Sequence, residues 1–301
     1  MATSTGRGAS RSAGRLAITR RGFVGALLAA PALRASSALG QGARDITFGL
    51  TPVFLSNDLD LTDRLRAYLS RACGSPVQLV TRRTYQEITA LLVSGQLDAA
   101  WICGYPYVVY KADLELVAIP VWRGQPLYQS YIIVREGRRV SGIPDLAGDV
   151  HAFSDPDSNS GYLVTRVAML EAGLDPATFF KRFFFTYGHR NVIRAVGSGL
   201  AQSGSVDGYV FDVVAKVEPA LTKGLAVARR SELLGFPPIA APARPSDPRR
   251  TIILRNALVS MGSDPDGKAV LDLLKLDGFT PGSPAIFDGI AAKVARLAGR
   301  T

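Results

Sequence analysis

Cysteine and histidine are both scarce in this chain of 301 residues, which holds two of each. Two cysteines, Cys73 and Cys103, are too few for a scaffold held by disulfides, and neither belongs to a Cys-x-x-Cys pair. The chain also lacks a Gly-x-Ser-x-Gly elbow, a His-Glu-x-x-His helix and a P-loop. These absences argue against a metal site and against the enzyme classes that these motifs mark, and we expect no cofactor.

Long apolar runs are missing as well. The apolar stretch 24–33 has about half of the roughly 20 residues that a helix needs to cross a bilayer. It follows Arg20 and Arg21 and precedes the small residues 35–38, which is the pattern of a twin-arginine export signal. We therefore predict a signal over residues 1–43, cleavage between 38 and 44, and a periplasmic mature protein. A disordered basic tail with a chance arginine pair is the alternative.

Acidic residues are absent from the predicted signal, which contains six arginines. The whole chain has a net charge of +10, but the remainder has 29 basic and 25 acidic residues, a net charge of only +4. The strong basicity thus belongs to the signal and does not indicate a nucleic-acid partner. A mild positive balance suits an anionic ligand.

Short apolar strands alternate with helices of ten to twelve residues, which predicts an α/β fold with parallel strands. Thr84 and Glu87 form a capping box that predicts a helix start. The succession of helix, glycine and strand in 91–101 recurs in 196–209, which favours two similar lobes, although two ordinary connections could look alike. The predicted division is lobe 1 over 44–137, lobe 2 over 138–231, and a return to lobe 1 with C-terminal helices over 232–301.

The carboxyl-terminal third adds three expectations. The apolar run 251–254 predicts a strand, and five prolines within 237–248 predict a surface excursion. Helices are expected over 265–274 and 284–297.

A polar, hydroxyl-rich turn at 154–161 runs directly into a predicted helix. Ser158, Asn159, Ser160 and Gly161 would lie where the first backbone N–H groups of the helix have no intrahelical partner. Such a helix end attracts anions, so the turn is a candidate oxyanion site. Serine, asparagine and aspartate are also common N-caps, and most capped turns bind nothing.

Other candidates follow predicted strands, because ligands of open α/β sheets bind beyond the carboxyl ends of the strands. Each of them also has a purely structural interpretation: His189 as a cap, Cys103 as a buried filler and the tyrosines as packing groups. Cys103 could alternatively contact ligand as a soft donor. A disulfide between Cys73 and Cys103 is not expected. The candidates in chain order are Thr51, Cys103, Tyr105, Tyr107 and His189.

Together these motifs give the chain a family likeness. From about residue 45 to 275 it resembles the phosphate-, phosphite- and phosphonate-binding proteins of ABC transporters, a branch of the type II periplasmic binding proteins. The most specific marker is Asp-Pro-x-Ser-x-Ser-Gly at 155–161. The others are Asp-Ala-Ala-Trp at 98–101 with Tyr107, Tyr-Gly-His at 187–189, and Val206 with Asp207.

The resemblance implies a two-lobed α/β fold with the ligand cleft between the lobes. It implies that Ser158, Asn159, Ser160 and His189 hold the oxyanion, with Gly161 in the same turn and Asp207 at the site. Asn159 stands where the family usually has threonine, and Cys103 where it usually has glycine. These two departures lie where the identity of the ligand should be decided.

The functional expectation is a binding protein, not an enzyme, that captures a small oxyanion and delivers it to an ABC permease. A related subgroup resembles arsenite-sensing partners of membrane histidine kinases, which use a cysteine at the ligand, so a sensor that uses Cys103 is the alternative. An enzyme on the same fold is a third possibility, for which the sequence names no reaction.

Overall fold

Buried apolar side chains build two main β-sheets, and helices between the strands cover them. The computed structural model describes residues 44–52 and 59–299, so the predicted export signal at 1–43 lies outside the described residues. The strands are β1 (Ile46–Leu50), β2 (Val77–Thr81), β3 (Ala99–Trp101), β4 (Leu114–Val121), β5 (Leu127–Tyr128), β6 (Ser130–Arg135), β7 (Val150–Phe153), β8 (Arg182–Phe185), β9 (Ser203–Asp207), β10 (Leu225–Arg230), β11 (Leu234–Gly235), β12 (Ile239–Pro242) and β13 (Gly278–Thr280).

Eleven α-helices lie within the described residues, and none of these is both long enough and apolar enough to span a membrane. Short helical turns of other types cover Ile143–Leu146, Asn159–Leu163, Met261–Ser263 and Pro284–Phe287. The α-helices are α1 (Leu59–Cys73), α2 (Tyr85–Val93), α3 (Gly104–Val109), α4 (Val164–Glu171), α5 (Pro176–Phe179), α6 (His189–Gly197), α7 (Gly208–Val217), α8 (Pro219–Thr222), α9 (Pro248–Val259), α10 (Pro265–Leu274) and α11 (Asp288–Ala298).

The first sheet has six strands in the order β13-β4-β12-β3-β1-β2. β1 pairs in parallel with β2 and β3, as the alternation of strands and helices predicts, whereas β12 and β13 run antiparallel to β4. The predicted capping box is present at the start of α2, where the Thr84 and Glu87 side chains each accept a hydrogen bond from the other residue's backbone N–H. That cap fixes where α2 begins, directly after β2.

The second sheet has five strands in the order β10-β6-β9-β7-β8. β7 pairs in parallel with β8 and β9, and β6 runs antiparallel to β9 and β10. Gly204 of β9 allows α6 to pack closely on the sheet, since a Cβ at that position would lie 2.5 Å from Val192 Cγ1. This close packing sets the position of His189, the first residue of α6.

The two sheets show the repetition that the sequence predicted. Gly95 follows α2 with a φ of 72°, and the chain then enters β3, which pairs with β1. Gly199 follows α6 with a φ of 81°, and the chain then enters β9, which pairs with β7. A positive φ at both positions favours glycine and turns the chain back towards the sheet.

The chain crosses between the sheets twice. It leaves the first sheet after β4 and returns to it at β12, and on the way β5 and β11 pair antiparallel with Tyr128 opposite Leu234. β6, which ends at Arg135, already belongs to the second sheet. The division into lobes at 137/138 and 231/232 stays a prediction.

One expectation for the carboxyl-terminal third is wrong and another holds only in part. The run 251–254 is part of helix α9, because Asp247 caps the Arg249 N–H and Pro248 occupies the first helical position. Thr251 and Leu254 are buried at a helical spacing of three residues, which a short apolar run does not distinguish from a strand. The helix predicted at 265–274 is confirmed as α10.

The proline-rich segment is a surface excursion only in its second half, where residues 243–248 are exposed or half-buried. Residues Ile239–Pro242 form the fully buried strand β12 between β3 and β4. Prolines border this strand rather than interrupt it, with Pro238 before it and Pro242 at its end. The Pro237 carbonyl accepts a hydrogen bond from the Trp101 indole at 2.9 Å, which anchors the start of the strand.

Candidate functional site

The hydroxyl-rich turn joins β7 to α4 and is buried except at Pro156 and Asp157. Ser158 caps it, with its Oγ accepting a hydrogen bond from the Gly161 N–H at 3.0 Å. The helix begins as a single π-helical turn, Asn159–Leu163, before it continues as α4. The cap predicted from the sequence is therefore present, and it leaves Asn159 and Ser160 at the amino end of the helix.

Asn159 makes two contacts outside its own turn. Its backbone N–H donates to the Sγ of Cys103 at 3.1 Å, and its side-chain Nδ2 donates to the Tyr128 hydroxyl at 2.8 Å. Cys103 follows β3 of the first sheet, and Tyr128 lies on the crossing strand β5. The turn is thus held by the opposite sheet and by the crossing segment.

Three polar side-chain atoms of this region are buried without a hydrogen-bond partner among the described residues. They are Ser154 Oγ, Asn159 Oδ1 and Ser160 Oγ. A buried polar group left unpaired costs about 1–3 kcal/mol. Gly161 lets Ser154 Oγ and the His189 ring lie close to the turn. A Cβ on Gly161 would overlap Ser154 Oγ and would lie 3.0 Å from His189 Cε1. This unused hydrogen-bonding capacity is what a ligand-binding turn requires and a simple cap does not, so the turn stays the leading candidate site.

His189 lies at the same edge of the second sheet as the turn, because α6 follows β8 and the turn follows its parallel neighbour β7. Its Nδ1 accepts a hydrogen bond from the Asp207 backbone N–H at 3.1 Å, so the neutral imidazole carries its proton on Nε2. Nε2 in turn lies 3.2 Å from the Tyr85 hydroxyl. Burial lowers the pKa of His189 to about 3, so the ring is neutral at pH 7. It offers a hydrogen bond and no charge.

Tyr85 brings the first sheet to this histidine. It is the first residue of α2, its backbone N–H donates to Asp155 Oδ2 at 3.2 Å, and its side chain is fully buried. Burial raises the pKa of the Tyr85 phenol, so the hydroxyl keeps its proton and can donate to an oxygen. Tyr85 therefore contacts both the turn and the helix start of the second sheet.

Two carboxyl groups complete the cluster. Asp207 caps α7 by accepting a hydrogen bond from the Val210 N–H at 3.2 Å, and burial raises its pKa to about 7. Burial likewise raises the pKa of Asp155. Among the described residues, the hydrogen-bond partners within this cluster are hydroxyls, amides, a thiol and an imidazole. None of them is a lysine or an arginine. An anion here would be held by neutral donors.

The remaining sequence candidates have other partners. Thr51 is buried and its hydroxyl donates to the Trp101 carbonyl at 3.1 Å, within the first sheet. Tyr107 packs its ring on Phe287 with 4.8 Å between centroids. Tyr105 is half-buried, one residue into α3. Their contacts are those of packing groups, and a ligand role for Thr51, Tyr105 and Tyr107 stays a prediction.

The contacts of His151 are those of a structural histidine. Its two ring nitrogens lie 2.8 Å from Ser203 Oγ and 2.9 Å from Ser205 Oγ, and its ring stacks on Phe180. Strand β9 ends at Asp207, and α7 begins at Gly208. It is therefore Asp207 that lies at the carboxyl end of this strand, as the family likeness implied.

The sequence interpretation missed four members of the cluster: Ser154, Asp155, Tyr85 and Tyr128. Ser154 and Asp155 directly follow β7, so the rule that ligands bind beyond strand ends could have identified them. Tyr85 directly follows the capping residue Thr84 at the end of β2 and carries the same signal. Tyr128 has none, because it lies on a two-residue crossing strand.

The chain matches known proteins in both sequence and fold. The sequence model of the periplasmic substrate-binding proteins of phosphonate ABC transporters matches residues 48–287 of the chain. The phosphate-import protein PhnD of Mycolicibacterium smegmatis is 30% identical over 136 residues, which are 43% of this chain and 42% of that protein. The chain therefore matches less than half the length of this relative.

Solved structures establish the fold. A binding-protein component of a phosphonate ABC transporter from Pseudomonas aeruginosa has a TM-score of 0.76 at 22% identity, covering 85% of this chain and 88% of that one. PhnD1 from Prochlorococcus marinus, solved with methylphosphonate, has a TM-score of 0.75 at 18% identity, covering 84% and 98%. The α/β fold of a type II periplasmic binding protein is confirmed.

Proposed function

Because the chain belongs to the family of periplasmic substrate-binding proteins of phosphonate ABC transporters, we propose that it captures a small oxyanion and delivers it to a membrane permease. The oxyanion is of the phosphate, phosphite or phosphonate class. The family consists of periplasmic substrate-binding proteins and not of enzymes, in agreement with the expectations from the sequence.

The observation that carries the proposal is the unpaired Ser160 hydroxyl at the amino end of the turn. Ser160 Oγ is buried and makes no hydrogen bond among the described residues. Asn159 Oδ1 is also unpaired there, and as an acceptor it can pair only with a protonated oxygen of the ligand. The Tyr85 hydroxyl accepts the His189 Nε2–H and keeps its own proton, so it supplies one further donor that His189 orients. A tetrahedral oxyanion would satisfy several of these groups at once through charge-assisted hydrogen bonds, which are short and strong.

Within the described residues, no lysine or arginine is a partner of these groups. This favours a small anion with a single negative charge over a highly charged one. Helix-end N–H groups and hydroxyl dipoles can offset a single negative charge without a buried lysine or arginine. Ser158 and Gly161 shape the turn, and Asp207 can accept a hydrogen bond from a protonated oxyanion. Thr51, Cys103, Tyr105 and Tyr107 are proposed at the border of the site.

Isothermal titration calorimetry of the purified protein against phosphate, phosphite, methylphosphonate, sulfate and arsenite tests the proposal. We expect saturable binding of at least one phosphorus oxyanion and a loss of about tenfold or more in affinity in Ser160→Ala. Ser198→Ala, which removes a hydroxyl at the far end of α6, serves as the control and should bind as the wild type does. No binding of any phosphorus oxyanion would refute the proposal.

We also propose that the twin-arginine pathway exports the chain. The arginine pair Arg20 and Arg21, the short apolar core and the small residues after it support this. Replacing both arginines by lysine should leave the protein in the cytoplasm, as measured by cell fractionation. Arg7→Lys with Arg15→Lys is the matched control and should still be exported; export of the Arg20→Lys, Arg21→Lys variant would contradict the proposal.

Transport is preferred over sensing by a histidine kinase. The sensing alternative depends on Cys103, whose sulfur does lie at the turn. Arsenite ligation uses a thiolate, however, and burial raises the pKa of the Cys103 thiol to about 12. Loss of phosphorus-oxyanion uptake in cells that lack the protein would support transport, whereas unchanged uptake with a lost arsenite response that Cys103→Ser reproduces would favour sensing.

A further inference from the structure

Cys103 lies between the two sheets, at a point that the ligand site borders. It follows β3 of the first sheet, it is 2% exposed, and its Sγ accepts the hydrogen bond of the Asn159 N–H at 3.1 Å. Asn159 is the first residue of the helical turn, so its N–H is one of those that the helix itself cannot pair. The thiol therefore occupies a donor that an oxyanion would otherwise reach.

The sulfur cannot easily move away from the turn. On its own side, the next residue is Gly104, where a Cβ would lie only 2.6 Å from Ile290 Cδ1 of α11. The start of α3 is thus packed tightly against α11. On the other side, Asn159 is held by its hydrogen bond to the Tyr128 hydroxyl. The distance between sulfur and turn is set by packing on both sides.

Two unpaired polar atoms belong to the turn that this sulfur contacts. Asn159 Oδ1 and Ser160 Oγ, both in fully buried side chains, have no partner among the described residues. A partly protonated anion that donates to Asn159 Oδ1 and accepts from Ser160 Oγ must lie against the turn whose first N–H is covered by Cys103. Any substituent on that anion that points towards the first sheet meets the thiol.

We propose that Cys103 sets the size of the anion that the site accepts, because its side chain fills the space beside the turn and occupies the Asn159 N–H. This inference rests on the proposed oxyanion function and specifies its substrate class: phosphate, phosphite and phosphonates with a substituent no larger than methyl. Removing the thiol frees the volume of one sulfur atom and one N–H donor, and Cys103→Gly also frees the volume of the Cβ.

The test compares methylphosphonate with propylphosphonate by calorimetry in the wild type, Cys103→Ala and Cys103→Gly. The wild type should bind methylphosphonate at least tenfold more tightly than propylphosphonate. That ratio should fall about threefold in Cys103→Ala and about tenfold in Cys103→Gly. Cys73→Ala, which alters the other buried cysteine at the end of α1, is the control and should leave the ratio unchanged.

Thermal unfolding of each variant shows whether it folds. If Cys103→Gly does not fold, the comparison of the wild type with Cys103→Ala is the test. A wild-type protein that binds methylphosphonate, together with a ratio that stays within twofold in the folded Cys103 variants, would overturn the size-limiting role alone. A wild-type protein that binds none of phosphate, phosphite and methylphosphonate would instead overturn the oxyanion function. A wild type that binds propylphosphonate as tightly as methylphosphonate would also refute the size limit.

Discussion

The Tyr85 hydroxyl lies 3.2 Å from Nε2 of His189, although the two residues are 104 positions apart in the chain. Tyr85 begins α2, which follows β2 of the first sheet, and His189 begins α6, which follows β8 of the second. Both side chains are buried. The pair links the two sheets at the candidate site, and each partner starts a helix that follows a strand end.

Removing the Tyr85 hydroxyl should weaken oxyanion binding. Hydrogen bonds to a charged partner contribute about 1.5–3 kcal/mol, so Tyr85→Phe should lower the affinity by about tenfold to a hundredfold. Calorimetry with the anion that the wild type binds measures the loss. Tyr68→Phe is the matched control, since its hydroxyl donates to the Ala257 carbonyl inside the first-sheet core. It should lower stability by about 1 kcal/mol and leave affinity unchanged.

A side chain on Gly161 should close the site. Its Cβ would overlap Ser154 Oγ and crowd His189, so Gly161→Ala should abolish measurable anion binding and destabilise the fold by about 1–3 kcal/mol through overpacking. Gly262→Ala is the control, because a Cβ on Gly262 would come no closer than 3.8 Å to its nearest neighbour, Leu271 Cδ1, and the φ of Gly262 is not positive. Equal behaviour of the two variants, in urea unfolding and in calorimetry, would contradict the geometry.

Asp207 should make anion binding depend on pH. Burial raises the pKa of its carboxyl to about 7, so the group is mainly protonated below this pH and mainly charged above it. A charged carboxylate repels an anion, and affinity should therefore fall as the pH rises from 6 to 8. The ratio of wild-type to Asp207→Asn affinity for methylphosphonate, measured at each pH, cancels the titration of the ligand. A ratio that does not change with pH would refute this role.

His151 should make stability depend on pH in the opposite sense. Burial between Ser203 and Ser205 lowers its pKa from 6.5 to about 3. Below pH 6.5 the unfolded chain takes up a proton that the folded chain does not, so stability decreases as the pH falls towards 3. The contribution is about 1.4 kcal/mol per pH unit.

Urea unfolding of the wild type and of His151→Gln between pH 4 and 7 measures this contribution. Glutamine can still pair with a serine hydroxyl but does not titrate, so the difference in stability between the two proteins should shrink as the pH falls. A difference that is constant over this range would show that His151 does not titrate on unfolding.

Local chemistry made the turn and the helix starts predictable from the sequence. Ser158 caps its own turn through the Gly161 N–H three residues later, and Thr84 caps α2 in the same way. Such caps involve neighbours in the chain, so residue types and spacing suffice to find them. The apolar residues of 251–254 fit the period of a strand as well as that of a helix, so the run alone does not identify α9. The signal for a helix is the Asp-Pro cap before it, at Asp247 and Pro248.

The contacts across the site could not be predicted in this way. Cys103 lies 56 residues from Asn159 in the chain, and Tyr128 lies 31 residues from it. Nothing in the neighbouring residues of either indicates that they meet, and the crossing strand of Tyr128 is only two residues long. The buried strand β12 was missed for a related reason, since its neighbours in the sheet, and not its proline content, make it a strand.

The sequence by itself determined the family, the alternation of strands and helices, and the hydroxyl-rich turn that begins a helix, because each depends on residue type and short-range spacing. Only the tertiary structure decided which groups face that turn. Packing of the two sheets brings Tyr85, Cys103 and His189 to it, and burial then keeps His189 neutral and the Cys103 thiol protonated. Desolvation and long-range contact arise only when the chain is folded, and they set the chemistry of the site.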